Sequence, residues 1–356
     1  MSPGITRISS NGCTDSNNTD SAERPGFEII KTDSLGNKKV LIIGGLGFIG
    51  SNVAHKMVEE GAEVTILDAC LDPYGWNFFN IDGLPIKFIK GDIRDRELIE
   101  EIIKDKNIII DCAAQVSHTI SMSNPILDVE INCQGPLSLL EACRKSNPSV
   151  KIIYASSRGV IGGVRDGLAH EESPTNPIDI NGINKLSAEK YYLLYQKLYG
   201  IKVCILRINN GYGPRSQVRT GDYAIINWFI KKALLGEEIT LFGDGGQIRD
   251  YSYAEDIAEA FVLAAKKDIS SGEIFLIGSG EAVKLKEISE LIIKIVGKGK
   301  IVYIPWINAR KNIEIGSYVV DNTKIREKLE WRPRTSLVEG ITKTVSFYKE
   351  NLNHYI

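Results

Sequence analysis

The chain has 356 residues, enough for one large domain or two moderate ones, each with its own core. Its formal net charge of −2 supplies no basic stripe for nucleic acid or anionic lipid, and no apolar stretch approaches the ~18 residues of a membrane span. Its six cysteines (13, 70, 112, 133, 143, 204) form no C-x-x-C pair, and its four histidines (55, 118, 170, 354) show no metal-ligand spacing. The expectation is therefore buried thiols in a reducing, cytoplasmic setting, with no metal.

Residues 1–37 are rich in Ser, Asn, Thr, Asp and Gly and read as a flexible polar tail, without the charged start and apolar core of a secretory signal. From Lys39 onward, short apolar runs alternate with amphipathic stretches in a βαβ rhythm. Lys39-Val40-Leu41-Ile42-Ile43 reads as a buried parallel strand. Gly44, Gly47 and Gly50 follow, and residues 52–60 carry apolar side chains at helical spacing. Glycines so placed let the backbone turn, approach a pyrophosphate and pack helix on strand, while the helix N-terminus offers free N–H groups to phosphates. A second strand over 63–67 ends in Asp68, where a carboxylate accepts both ribose hydroxyls of an adenosine and repels a 2′-phosphate. The spacing therefore favours NAD over NADP.

Further strands are expected at 86–90, 108–114, 151–155 and 202–208, and helices at 97–104, 125–145 and 180–199, the second of these irregular at Gly135-Pro136. After Asn209 glycine-rich loops interrupt shorter elements. The expected architecture is α/β: a Rossmann-type doubly wound parallel sheet over 38–208, with 250–265 returning to it. A smaller C-terminal α+β substrate domain is expected from 209–249 and 266–356.

The ordered landmarks Gly44-x-x-Gly47-x-x-Gly50, Asp68, Gly91-Asp92-Ile93, Asn132-x-x-Gly135, Tyr154-Ala155-Ser156-Ser157 and Gly243-Asp244-Gly245-x-Gln247-x-Arg249-Asp250-Tyr251 resemble an extended short-chain dehydrogenase/reductase, of the NAD-dependent nucleotide-sugar epimerase/dehydratase family. The resemblance runs from residue 39 to about 350. It implies that Gly44, Gly47, Phe48, Ile49 and Gly50 border the pyrophosphate, Asp68 the adenosine ribose, and Asp92 and Ile93 the adenine. It places Ala113, Ala114, Gln115 and Lys185 at the nicotinamide half. On the substrate side it implies Ser117 and His118 in the sugar pocket, Asn210, Arg215, Arg249 and Arg310 at the diphosphate, and Leu241 and Phe242 beside the base. The guanidinium fork of arginine suits a diphosphate. A homodimer built on the helices at 125–145 and 180–199, with Tyr192, Leu193 and Leu194 as apolar contacts, is also implied.

The resemblance breaks at one position. This family uses a Ser or Thr at the end of the fifth strand and a Tyr-x-x-x-Lys on the next helix, where the lysine lowers the phenol pKa so that a phenolate takes the hydroxyl proton. Here Ser157 and Lys185 are present, but the tyrosine position is Asn181, and no tyrosine in the chain has a lysine four residues later. Asparagine only hydrogen-bonds. Three groups can substitute: His118, as acid/base or merely as a hydrogen bond to the sugar; Lys185, as base or as cofactor anchor; and Ser157, as a relay to water. Dehydratases of this family place an Asp-Glu pair directly after the Ser/Thr, and the related decarboxylases use a glutamate there. This chain has Arg158-Gly159. Epimerisation or C4 oxidoreduction of a nucleotide sugar remains the leading expectation. The alternatives are a disabled NAD- and nucleotide-sugar-binding protein, or a dehydratase.

Overall fold

The run Lys39–Ile43 forms β1, and its uninterrupted apolar character is explained by burial on both faces. Val40 and Ile42 join a cluster with Val53, Ala54, Met57 and Phe261, whereas Leu41 and Ile43 join another with Leu139, Leu140, Ala188 and Tyr192. The computed structural model describes residues 34–72, 75–164, 166–306 and 315–356, and these belong to one compact unit. Around β1 run β2 (Glu63–Asp68), β3 (Lys87–Lys90), β4 (Ile108–Asp111), β5 (Lys151–Ser157), β7 (Lys202–Ile208) and β12 (Ile274–Ile277). They form one parallel sheet in the order β12-β7-β5-β4-β1-β2-β3. Helices α1 (Phe48–Glu59) and α8 (Ala254–Lys266) cover one face; α2 (Arg96–Ile102), α5 (Gly135–Ser146) and α6 (Ile180–Tyr199) cover the other. The strand order reverses between β1 and β4, so the crevice at their carboxyl ends is where such a sheet binds a ligand.

The smaller elements build the far wall of that crevice. Strand β9 (Glu238–Phe242) pairs with β14 (Lys300–Ile304) under α7 (Ile225–Leu234) and α9 (Leu285–Val296). Three short pairs hold the connecting loops: β6 (Leu168–Ala169) with β15 (Val319–Val320), β8 (Asn210–Tyr212) with β11 (Tyr251–Tyr253), and β10 (Ile248–Arg249) with β13 (Val283–Lys284). Asp250 ties them together, accepting from Asn209, Ser279, Gly280 and Val320. Among the described residues no helix is long and apolar enough to cross a membrane.

Several expectations shift. The expected tail does not reach 37: Leu35 is buried in the core and Asn37 N–H donates to Gly61 O, while residues 1–33 lie outside the described residues. Strand β12, expected in the substrate domain, extends the Rossmann sheet beside β7 because Phe275 and Ile277 complete its apolar face. The 125–145 helix is split into α4 (Pro125–Val129), a π-turn over Glu130–Gln134 and α5; Pro136 has no N–H to continue regular α-helical bonding. His118–Ser123 forms a further helix, α3, because the buried Ser117 side chain caps it by accepting from Ile120 N–H. Tyr192 faces the core and donates to Asp111 at 2.7 Å, so it offers nothing to a dimer surface.

One buried ion pair locks the strands that carry the site. Arg207 on β7 donates through Nε and Nη2 to Glu189 on α6 at 2.9 and 2.8 Å, and Ser156 Oγ donates to the same carboxylate at 2.6 Å. Removing one partner of such a pair strands the other charge, at a cost of about 3–5 kcal/mol. Glu189→Gln is therefore expected to lower the urea unfolding midpoint sharply, and adding Arg207→Met to recover most of the loss.

Candidate active site

The glycine turn after β1 is shaped by contacts no side chain tolerates. Gly44 has φ +76°, and a Cβ there would meet the backbone of Cys112 and Ala113 at 2.9 Å; a Cβ on Gly50 would fall 2.2 Å from Gly44 O. Gly47 caps α1 without a capping side chain, leaving first-turn N–H groups turned to the crevice. Asp68 ends β2 and accepts from Leu46 N–H at 3.0 Å and Cys70 N–H at 2.9 Å. Burial pushes its carboxyl above the usual range, and those two donors pull it back. A cavity of about 420 Å³ is lined here by Gly44, Gly47, Phe48, Ile49, Gly50, Asp68, Asp92, Ile93, Ala113, Ala114, Asn181 and Lys185. A phosphate-sized cradle, an acid beside it and an apolar slot beyond fit a dinucleotide.

Lys185 lies at the inner end. Its Nζ donates to Ala155 O at 3.0 Å and sits 4.8 Å from the Tyr154 ring centroid. Burial depresses its pKa, while the carboxylates of Asp111, Asp128 and Glu189 oppose that shift. One turn earlier on α6 stands Asn181, where a tyrosine is expected from the resemblance. Its Nδ2 donates to Gln115 O at 2.6 Å and lies 3.3 Å from Asp128 Oδ2, within a buried amide network completed by Asn132 and Asn184.

A second cavity of about 380 Å³ adjoins the first, lined by Asp179, Asn210, Phe242, Gln247, Arg249, Trp306 and Tyr318 among others. His118, Ser157, Asn210 and Asp222 border both cavities and mark their seam. His118 Nδ1 lies 2.6 Å from Asp179 Oδ2. Phe242 stacks on Trp306 with ring centroids 5.3 Å apart. Arg249 donates to Ile248 O and Gly316 O, which orients its guanidinium beside the Tyr318 ring. Gln247 donates to Phe242 O, and its Oε1 is buried without a hydrogen-bond partner.

Not every expected residue reaches a cavity. Gln115 is fully buried, its amide spent on Ser117 and Asp128, and Ser117 is consumed in capping α3. Leu241 points to the opposite side of β9 from Phe242, into the core. Arg215, at φ +71°, turns its guanidinium onto Asn52 Oδ1 of α1 at 2.9 Å and lines neither cavity. Arg310 lies outside the described residues. Conversely, Asp179, Asp222, Trp306 and Tyr318 escaped notice; only Asp179 carried a signal, as an acid directly before a helix start.

The parallel sheet, the glycine turn at its switch point and the acid ending β2 define a dinucleotide-binding protein of Rossmann type. Residues 40–278 match the model of the NAD dependent epimerase/dehydratase family, and the chain belongs to that family. It is 30% identical to the UDP-glucose 4-epimerase of Mycolicibacterium smegmatis, over 87% of this chain and 98% of that one. Among solved structures, the UDP-glucose 4-epimerase of Thermotoga maritima with UDP-glucose superposes with a TM-score of 0.81 at 34% identity, covering 88% of this chain and 99% of its own. The Thermus thermophilus UDP-glucose 4-epimerase in complex with NAD gives 0.79 at 31%, covering 87% and 99%. NAD is accordingly the cofactor, and the chain is an NAD-dependent nucleotide-sugar epimerase/dehydratase. Asp68→Ala is expected to weaken NAD binding roughly ten- to a hundredfold in calorimetric titration, the worth of hydrogen bonds to a charged group.

Proposed function

We propose that the protein interconverts nucleotide sugars epimeric at C4, with a UDP-hexose as substrate and NAD retained between turnovers. The observation that carries this reading is the seam: Ser157 and His118 border both cavities, the one beside the glycine turn and the one lined by Arg249 and the Phe242–Trp306 stack. NAD, when bound, supplies a reversible acceptor for the C4 hydride. The chain's own residues do the rest. Lys185 presents a buried cation to the nicotinamide ribose, and Ser157 Oγ, which accepts from Gly159 N–H at 3.0 Å, has its own hydrogen to donate to the sugar oxygen. Arg249 and Asn210 suit the diphosphate. The Phe242–Trp306 stack offers a flat apolar face to a base, and the orphaned Gln247 Oε1 suits a base N–H.

The dehydratase alternative finds less support. Arg158 stands where a dehydratase carboxylate is expected, buried, donating to Gly162 O and 3.7 Å from the Tyr318 ring centroid. A fixed cation and a glycine offer no acid to eliminate water. The names of the relatives favour UDP-glucose, and Ile126, Ile183, Leu194 and Leu198, exposed on α4 and α6, support pairing of two copies.

Purified protein incubated with UDP-, dTDP-, GDP- and CDP-hexoses and followed by proton NMR is expected to convert a UDP-hexose to a mixture of C4 epimers without accumulating reduced cofactor. A 4-keto-6-deoxy product, or no conversion of any of them, would contradict the reading. Lys185→Met is expected to lower kcat by on the order of 10²- to 10⁴-fold and to reduce the NAD that copurifies. Light scattering on the same sample tests for a dimer.

A further inference from the structure

We propose that His118, held by Asp179, replaces the absent tyrosine as the group that takes and returns the proton of the C4 hydroxyl, an assignment that rests on the epimerase reading above. The two residues come from separate elements. Asp179 is the N-cap of α6, where its Oδ1 accepts from Gly182 N–H at 2.7 Å. Its other oxygen, Oδ2, lies 2.6 Å from Nδ1 of His118, the first residue of α3. The carboxylate is buried, with 7% of its side chain exposed, while 45% of the imidazole side chain remains open to the cavities. Burial alone would raise the Asp179 pKa, but the hydrogen bond and charge of His118, with the Gly182 N–H, hold it below its ordinary value. A carboxylate kept ionised makes Nδ1 the donor and leaves the lone pair on Nε2, the atom available to a substrate.

The ring is also close to Ser157. A methyl group on Gly159 would sit 3.6 Å from His118 Cε1 and 3.2 Å from Ser157 Oγ, so glycine at 159 keeps open the gap that both side chains flank. Asn181 contributes indirectly. By donating to Gln115 O it fixes the turn whose Gln115 Oε1 accepts from Ser117 N–H, and Ser117 in turn caps α3 at His118. The residue standing in the tyrosine position thus helps to anchor the element that carries the imidazole.

Other candidates are placed less well. Lys185 and Tyr223 border the cofactor cavity but not the sugar cavity. Asp222 borders both and is the principal rival. Charged groups on the walls around His118 are Asp179 from α6, Arg158 after β5, Lys185 from α6, Asp222 before α7 and Arg249 from β10. In the forward step the hydroxyl O–H bond would break and an Nε2–H bond would form, giving an imidazolium paired with Asp179, with bound NAD supplying the acceptor for the C4 hydrogen and its electron pair. On return the imidazolium would give its proton back to the oxygen, the Nε2–H bond breaking as the O–H bond forms again.

The test uses the full-length, NAD-loaded protein. His118→Gln is expected to lower kcat by on the order of 10²- to 10⁴-fold with little change in KM, and to abolish the acid limb of the pH profile. Asp179→Ser retains a good N-cap, and so the thermal midpoint, but cannot also reach His118; it is expected to lower kcat roughly tenfold or more. The downfield proton resonance of the imidazole Nδ1–H, recorded without nucleotide sugar, is expected in the wild type and absent from both variants. Asp222→Asn is expected to keep the acid limb. A His118→Gln enzyme with the wild-type pH profile, or loss of the acid limb in Asp222→Asn instead, overturns the assignment while leaving epimerisation intact. A wild type that turns over no nucleotide sugar overturns both.

Discussion

The site depends on a polar ladder along the buried face of one helix. Asn181, Lys185 and Glu189 are spaced one turn apart on α6, and each spends its side chain on a different piece of the crevice wall. Asn181 holds the loop after β4 through Gln115 O, Lys185 holds the end of β5 through Ala155 O, and Glu189 joins β5 to β7 through Ser156 and Arg207. Buried polar groups without partners are costly, so α6 has very few registers in which all three are satisfied. The helix start is located just as tightly, by Asp179 at its cap and Gly182 behind it. Asn181 and Lys185 border the first cavity and Asp179, at the helix cap, the second, so this helix spans both.

On the reading proposed above, Asn181 stands where the family's tyrosine is expected and has a different duty. The Asn181 side chain also lines the first cavity, but its Nδ2 points into the network of Gln115, Asp128, Asn132 and Asn184. Under the assignment proposed above, the proton-carrying role falls to His118 on the neighbouring α3, whose position that same network supports. The carboxylate beneath the imidazole is bound by the helix it caps, which limits reorientation when charge develops on the ring.

The cofactor half was legible in the sequence because its constraints are local. A strand ending in glycines, a helix opening without a capping side chain, and an acid ending the next strand each follow from a few adjacent residues, and the structure puts Gly44, Gly47, Gly50 and Asp68 around one cavity. The substrate half was not, because its side chains depend on long-range packing. Arg215 looked like a phosphate ligand, but its left-handed backbone turns it to Asn52; Leu241 and Phe242 are adjacent, and strand alternation sends only one of them to the cavity. Trp306 and Tyr318 reach the pocket from distant parts of the chain, across β14 and β15, which no local pattern reports. His118 was visible as a titratable residue, but its partner Asp179 is sixty-one positions away.

The most direct measurement of the central claim follows the hydrogen on the sugar carbon. With a UDP-hexose carrying deuterium at C4 as substrate in ordinary water, hydride removal and return within one closed site predicts that the C4 epimer retains its deuterium through the first turnovers. An epimer that has lost the label to solvent, or deuterium recovered at C6 of a dehydrated product, would contradict the account.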